Sequence, residues 1–234
     1  MNLVRRVINR WNTIAADRCP RLCGNVQVIR VAAWNRSGGN EQLFDGLDLG
    51  AGSLVVDVGG YRGDWSAEIF ARYAPTIHVL EPVPDFVRHL RRRFSRNPKI
   101  DIHPIALGAA SHRTEIFVQA DGSSVHRLAG EAISIDVVCA SEFLRPLARS
   151  GIDLLKLNIE GAEFDVLTDL VDTGLIDRVR TLQVQFHDFV PDAARRMKDL
   201  HSRLSKTHRP RFAYEFVWET WERVAAAVPQ LTAA

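Results

Sequence analysis

Short apolar segments alternate with amphipathic segments along most of the sequence, and this order limits the possible folds more than any other feature. Residues 53–58 and 76–81 are short apolar runs, and residues 99–103 are predicted to be a third short strand. Between them, residues 62–73 and 84–95 repeat apolar residues at the three- and four-residue spacing of a helix. Apolar runs without polar alternation are typical of parallel strands that are buried on both faces. The order strand–helix–strand therefore predicts a doubly wound α/β fold.

The same alternation continues into the C-terminal half of the sequence, with one interruption. Helices are predicted at residues 140–149, 163–171 and 192–206, and strands at residues 153–158, 181–187 and 211–218. Between residues 111 and 138, two strand-like segments instead flank a turn at residues 121–124. We expect a mostly parallel sheet of about seven strands with a β-rich insertion at about residues 111–138.

The N-terminal part of the sequence has a different pattern. Residues 1–16 repeat apolar residues at helical spacing, and basic residues occupy the other face, which fits a packed helix with a solvated face or an anchor on a membrane surface. Residues 35–52 contain five glycines and are predicted to be a loop. We therefore predict a helical extension and loop over residues 1–50 and one main domain over residues 51–234.

Composition is useful here for what it excludes. The chain is 46% hydrophobic and 25% charged, as in globular proteins, and no apolar run approaches the ~20 residues of a membrane span. Three cysteines cannot form a framework of paired disulfides, and no secretory signal precedes the main domain. We therefore expect a cytoplasmic protein without a transmembrane segment.

Two basic stretches raise the alternative of nucleic-acid binding. Residues 88–96 contain five arginines, but Phe86, Leu90 and Phe94 share one helix face, so the arginines form the solvated face. Residues 195–211 have the same explanation, and the net charge of +2 is small. Nucleic acid is therefore not the favoured partner.

The segment that follows the first predicted strand, Asp57-Val-Gly-Gly-Tyr-Arg-Gly63, is rich in glycine. Glycines allow a sharp turn and a close approach of backbone to a ligand, and the amides of the next helix can hold an anion. The dinucleotide pattern G-x-G-x-x-G fails because Tyr61 and Asp64 stand at the second and third glycine positions. The sequence contains no Gly-Lys pair for a phosphate-binding loop. An acid, Glu81, ends the next strand 24 residues after Asp57.

This arrangement suits a ligand that has a carboxylate, an ammonium and a ribose diol but no phosphate. The helix amides would receive the carboxylate, Asp57 the ammonium and Glu81 the ribose hydroxyls. S-adenosylmethionine carries these groups and is the predicted cofactor. The cofactor-binding residues predicted in this segment and the next strand end are Asp57, Gly59, Gly60, Gly63 and Glu81, with Tyr61 and Trp65 shaping the pocket.

Four motifs in the same order resemble the FkbM family of S-adenosylmethionine-dependent methyltransferases, from about residue 54 to residue 218. Residues 57–63 are similar to the family's Asp-Val-Gly-Ala-Asn-x-Gly, residues 80–84 to its Glu-Pro-x-Pro, and residues 105–108 to its Ala-Leu-Gly. The most specific motif, residues 154–163, is similar to Lys-x-Asp-x-Glu-Gly-x-Glu. The resemblance implies a Rossmann-like class I methyltransferase fold. It also implies O-methyl transfer, commonly to a hydroxyl of a sugar, glycan or natural-product scaffold.

The resemblance also assigns site residues. It adds Pro82, Ala106, Ser123 and Ser124 to the cofactor-binding set, and Lys156, Asn158 and Glu160 to the catalytic set. His187, at the end of a predicted strand on the ligand side, is our candidate general base; the alternative is a histidine that is hydrogen-bonded to backbone. Glu163 fits a helix-capping residue or a substrate contact.

The sequence departs from the family pattern at two positions. Asn158 stands where the family usually has aspartate, and Gln185 where many members have glutamate. Both changes remove negative charge from the expected site, so no metal site is predicted. They leave open a catalytically impaired protein that binds the cofactor as a scaffold; an RNA methyltransferase is a further alternative. The expected partner is a small-molecule or glycan hydroxyl acceptor, and the sequence is compatible with a homo-oligomer.

Overall fold

The computed structural model describes residues 26–119, 122–124 and 131–224. The strands, in chain order, are β1 (Leu54–Val58), β2 (Thr76–Leu80), β3 (Ile100–His103), β4 (Ala106–Gly108), β5 (His112–Gln119), β6 (Gly122–Ser124), β7 (Glu131–Cys139), β8 (Ile152–Leu157), β9 (Val179–Val184), β10 (His208–Tyr214) and β11 (Trp218–Arg223). The α-helices are α1 (Val26–Arg36), α2 (Gly39–Gln42), α3 (Asp64–Tyr73), α4 (Pro84–Arg93), α5 (Ala140–Leu147), α6 (Glu163–Asp172) and α7 (Ala193–Leu204). A short 3₁₀ helix, Leu175–Arg178, precedes β9.

Seven strands form the main sheet in the order β3-β2-β1-β8-β9-β11-β10. The first five of these run parallel, and β11 runs antiparallel to both of its neighbours. Helices connect successive parallel strands, because parallel pairing requires a crossover from one end of the sheet to the other. The predicted α/β fold with a mostly parallel seven-stranded sheet is confirmed.

The main sheet is covered by helices on both faces. Val55 and Val56, adjacent in β1, are both fully buried, although their side chains point to opposite faces. Val55 belongs to an apolar cluster with Ile69 of α3 and Leu90 of α4. Val56 belongs to a second cluster that includes residues of α5, α6 and α7. This double cover explains why the strands are continuous apolar runs rather than alternating ones.

The predicted β-rich insertion forms a second sheet in the order β4-β7-β5-β6. Its apolar face contributes Ile116, Ile135 and Val137 to a cluster with Val83, so the small sheet packs beside the start of α4. β4, only three residues long, pairs parallel with β7 and is not apparent from the sequence. The small sheet therefore begins before the predicted insertion.

Two predictions about the C-terminal region are wrong. The segment predicted as one strand at residues 211–218 contains the end of β10, a turn and the start of β11. The turn has no glycine, proline or asparagine, and Phe216 takes a positive φ of 53° within it. The strand predicted at residues 181–187 ends at Val184, so His187 lies in the following loop.

The described part of the N-terminal region packs against this C-terminal hairpin. The ring of Trp34 in α1 lies 5.5 Å from the ring of Phe212 and 5.2 Å from that of Tyr214. The predicted loop at residues 35–52 contains the end of α1 and the one-turn helix α2. The helix predicted at residues 1–16 lies outside the described residues, and the domain boundary at residue 50 stays a prediction. Within the described ranges, no helix is both long enough and apolar enough to cross a membrane.

Candidate active site

A cavity of about 550 Å³ opens at the carboxyl ends of β1, β2 and β8, where the small sheet meets the main sheet. This is the edge at which open parallel sheets bind ligands, because loops and helix N-termini converge there. The predicted site residues that line the cavity are Gly59, Tyr61, Glu81, Pro82, Ala106, Asn158 and Glu160. Residues from both the predicted cofactor set and the predicted catalytic set therefore share one cavity.

Other predicted site residues lie near this cavity without lining it: Asp57, Gly60, Gly63, Trp65, Lys156 and His187. Ser123 and Ser124 belong to β6, the edge strand of the small sheet. Their predicted contact with the cofactor stays a prediction.

The loop after β1 is packed too closely to carry side chains at its glycines. Gly59 has a positive φ of 87°, and a Cβ placed there would lie 2.0 Å from the carbonyl oxygen of Asn158. A Cβ at Gly60 would lie 2.2 Å from Cγ1 of Val79. The amides of both glycines donate to the carbonyl oxygen of Leu80, at 2.9 and 3.0 Å. These glycines are therefore required for the loop itself, and their amides are used within the protein.

Asp57 and Lys156 form a buried ion pair beneath this loop. Lys156 Nζ lies 2.8 Å from Asp57 Oδ1, and Ser66 Oγ donates to Asp57 Oδ2 at 2.5 Å. Lys156 Nζ also donates to the carbonyl oxygen of Gly59 at 2.8 Å. The structure thus pairs the residue predicted to hold a ligand ammonium with a residue predicted to be catalytic. The pairing of Asp57 with Ser66, which was not singled out in the sequence, completes this cluster.

Glu81 holds the next loop and also faces the cavity. Its two carboxylate oxygens accept the backbone amides of Tyr61 at 2.8 Å and Val83 at 2.9 Å. Burial raises the pKa of Glu81 above its ordinary value, and the two amides partly offset this because they stabilise the charged form. Glu81 therefore joins the loops after β1 and β2 and presents a carboxylate to the cavity.

The loop after β8 is organised by a second buried carboxylate, Glu163. Its oxygens accept the amides of Ile159 at 2.7 Å and Gly161 at 2.9 Å, which precede α6, so Glu163 holds the loop rather than capping the helix. His187 Nδ1 lies 2.9 Å from Glu163 Oε1, and His187 Nε2 lies 3.8 Å from Glu160 Oε1. Of the three ionisable residues Glu160, Glu163 and His187, Glu160 is the one that lines the cavity, and its φ is positive at 54°.

The cavity also contains residues that sequence reasoning missed. His112 of β5 and Asp165 of α6 add titratable groups, and Phe86 and Ile105 add apolar surface. His112 belongs to the insertion, where no motif marks individual residues. Asp165 could have been found, because it lies two residues after Glu163 in the first turn of α6.

Comparison with known proteins gives one family match and several structures of similar fold. The family described as the methyltransferase FkbM domain matches residues 57–209. A structure from Clostridium thermocellum, provisionally assigned as an rRNA methylase, has a TM-score of 0.51 at 8% identity, over 82% of this chain and 95% of that one. An rRNA methylase from Streptococcus thermophilus has a TM-score of 0.47 at 12% identity, over 76% and 90% of the two chains.

Aeropyrum pernix fibrillarin, crystallised with natively bound S-adenosyl-L-methionine, has a TM-score of 0.42 at 12% identity, over 75% of this chain and 67% of that one. At these identities the likeness to solved structures shows the fold alone. No curated protein matches the sequence significantly. The family match covers more than half of the chain, including the loop after β1 and the whole region from β2 to α7. The chain therefore belongs to the FkbM family of methyltransferases.

Proposed function

We propose that this methyltransferase transfers a methyl group from S-adenosylmethionine to a hydroxyl oxygen of a sugar, glycan or natural-product scaffold. The observation that carries the proposal is the composition of the cavity. Gly59 and Glu81 line it from the β1–β2 side, whereas Asn158 and Glu160 line it from the β8 side. We call the side with Gly59 and Glu81 the cofactor wall and the side with Asn158 and Glu160 the acceptor wall. In this proposal the two walls face each other across the cavity.

The residues of the cofactor wall suit S-adenosylmethionine. The cavity volume of about 550 Å³ is in the range of small-molecule sites. Glu81 offers carboxylate oxygens to a ribose diol, and the apolar surfaces of Phe86 and Ile105 suit an adenine ring. When bound, the cofactor supplies an electrophilic methyl group on a sulfonium.

The residues of the acceptor wall would position and deprotonate the acceptor hydroxyl. The Asn158 amide can hydrogen-bond an acceptor hydroxyl, and the Glu160 carboxylate can accept its proton. His187 does not line the cavity, so we assign it to positioning Glu160, from which its Nε2 is 3.8 Å. Alignment of the reactants contributes ~7–11 kcal/mol in favourable cases, and a general base typically adds ~10²–10⁴-fold.

Calorimetric titration with S-adenosylmethionine tests the cofactor wall. We expect saturable binding by the wild-type chain and at least about tenfold weaker binding by Glu81→Ala, since hydrogen bonds to a charged group contribute ~1.5–3 kcal/mol. Glu160→Gln, on the other wall, is the matched control and should keep wild-type affinity. Absence of binding by the intact chain would falsify the proposal.

Transfer of a labelled methyl group to a panel of hydroxyl compounds tests the acceptor wall. We expect turnover of at least one sugar or scaffold hydroxyl, and a fall of ~10²-fold or more in Glu160→Gln. Tight cofactor binding without transfer to any acceptor would instead indicate a scaffold protein. Salt-dependent RNA binding with RNA methylation would indicate the RNA alternative.

A further inference from the structure

Two histidines and an aspartate meet on one face of the main sheet, outside the cavity described above. His78 lies in β2, and Asp101 and His103 lie in β3. His78 is the register partner of Asp101, and Asp101 and His103 are two residues apart in the same strand. Parallel register and the two-residue period of a strand therefore bring the three side chains to the same face.

The distances among the three potential ligand atoms suit a single small cation. His78 Nδ1 lies 2.9 Å from His103 Nε2, His103 Nε2 lies 3.4 Å from Asp101 Oδ2, and His78 Nδ1 lies 3.9 Å from the same oxygen. Ligands at about 2.0–2.1 Å from a tetrahedral zinc ion are separated by about 3.3–3.4 Å. The observed separations bracket that value, so small side-chain rotations would complete the geometry.

The surroundings of the cluster also suit a metal. The side chains of His78 and His103 are 18% and 24% exposed, and the ring of Phe143 packs on His103 with 5.1 Å between ring centroids. Asp101 is 65% exposed, which leaves the cluster open to water on that side.

We propose that His78, Asp101 and His103 bind a divalent transition-metal ion of the zinc class, with water in the fourth position. Two imidazoles and one carboxylate are a ligand set for such ions rather than for Mg²⁺ or Ca²⁺, which prefer oxygen ligands. This site is separate from the methyltransferase cavity, for which the sequence predicts no metal.

The proposed ion would reinforce one wall of the cavity. The carbonyl oxygen of His103 accepts the amide of Glu81 at 3.1 Å and the amide of Ile105 at 2.9 Å, and both of these residues line the cavity. An ion on His78 and His103 would fasten edge strand β3 to β2 beside these hydrogen bonds. The proposed ion would therefore support this wall of the cavity, and its binding does not depend on the proposed reaction.

Cobalt binding tests the site directly. The full chain is stripped of metal with a chelator and titrated with Co²⁺, whose visible d–d absorption reports tetrahedral nitrogen and oxygen ligation. We expect saturation at one equivalent and loss of the band when Zn²⁺ is added. Asp101→Asn and His103→Gln should each weaken the affinity at least about tenfold, since even residues that only support a metal ligand contribute ~10–100-fold.

Matched variants separate this site from other metal binding and from misfolding. His89→Gln, a partly buried histidine of α4 outside the cluster, should keep wild-type cobalt binding. Asp101→Asn changes an exposed side chain, and its thermal transition without metal should equal that of the wild type. Zn²⁺ should raise the wild-type melting temperature but not that of Asp101→Asn. The proposal is overturned if no cobalt band appears, or if both cluster variants give a band equal to that of the wild type. The contact between the two imidazoles would then be a hydrogen bond only.

Discussion

Two fully buried carboxylates support neighbouring loops at the carboxyl edge of the sheet, but they use different partners. Asp57 is neutralised by Lys156, so a buried ion pair holds the loop after β1. Glu163 accepts two backbone amides of the loop after β8 and contacts the ring of His187. The first group reaches the cavity wall through the backbone of Gly59, whereas the second reaches it through the carboxylate of Glu160. A buried acid beside a ligand cavity therefore does not by itself indicate ligand contact.

The largest effect is expected where the ion pair is broken. Lys156→Ala should lower the free energy of unfolding by about 3–5 kcal/mol, because it leaves the Asp57 carboxylate buried without its cation. Urea unfolding measures this loss. Lys198→Ala, at an exposed position of α7, is the control and should stay within about 0.5 kcal/mol of the wild type. A loss below about 1 kcal/mol for Lys156→Ala would put the pair in the class of surface ion pairs and remove the contrast.

A smaller effect is expected in the loop after β8. Glu163→Ala should lower the free energy of unfolding by about 1–3 kcal/mol, because the amides of Ile159 and Gly161 lose their acceptor. Asp172→Asn, at the other end of α6 in an ion pair with Arg203, is the control and should cost less than about 1 kcal/mol. Equal losses in the two variants would mean that Glu163 does not hold the loop.

The link from Glu163 to the cavity can be tested by kinetics. His187→Gln should lower kcat by about tenfold, equivalent to about 1.4 kcal/mol, because Glu160 and Glu163 lose a shared neighbour. The affinity for S-adenosylmethionine should not change. His201→Gln removes a histidine from a comparable pair with Glu219 far along the sheet, and kcat should then be unaffected. A parallel fall in cofactor affinity in His187→Gln would contradict a role in positioning Glu160.

The smallest effect is expected for the pH dependence of stability, through Glu81. This carboxylate accepts backbone amides of two loops, and it also lines the cavity. Burial raises its pKa in the folded protein above the ordinary value of 4.5, so the folded state retains a proton to higher pH than the unfolded chain does. Its charge therefore opposes folding near neutral pH, and this opposition is relieved as the pH falls. The stability of the wild type relative to Glu81→Gln, measured by urea unfolding, should rise as the pH falls from neutral towards 4.5. A difference in stability between the two proteins that does not change with pH would show that burial does not shift the pKa of Glu81.

The parallel core of the fold could be predicted because each of its strands carries its own signal. β1, β2 and β8 consist mainly of apolar residues, which is the composition that burial on both faces of a sheet favours. β10 and β11 lack such a signal. Glu219 and Thr220 of β11 are buried. Glu219 accepts from Trp221 of the same strand and pairs with His201 of α7, which only the tertiary structure brings to it. A local pattern therefore could not predict the hairpin.

The candidate site likewise contains residues that could be predicted from the sequence and contacts that could not. Gly59 in the loop after β1 and Glu81 at the end of β2 could be placed at the cavity from their order along the chain. The partners of those residues could not be predicted. Asp57 and Lys156 are 99 residues apart, and only the pairing of β1 with β8 shows that they face each other. The cluster of His78, Asp101 and His103 similarly depends on the register between two strands.

Because β11 lies between β9 and β10, the sheet cannot be completed in the order in which its strands are synthesised. β10 leaves the ribosome first, but among the described strands its only neighbour is β11. Until Trp218–Arg223 has been translated, β10 has no place in the sheet and the edge of β9 remains open to pairing with other chains. A nascent chain that stalls before this segment therefore lacks two strands rather than one, and it exposes an aggregation-prone edge.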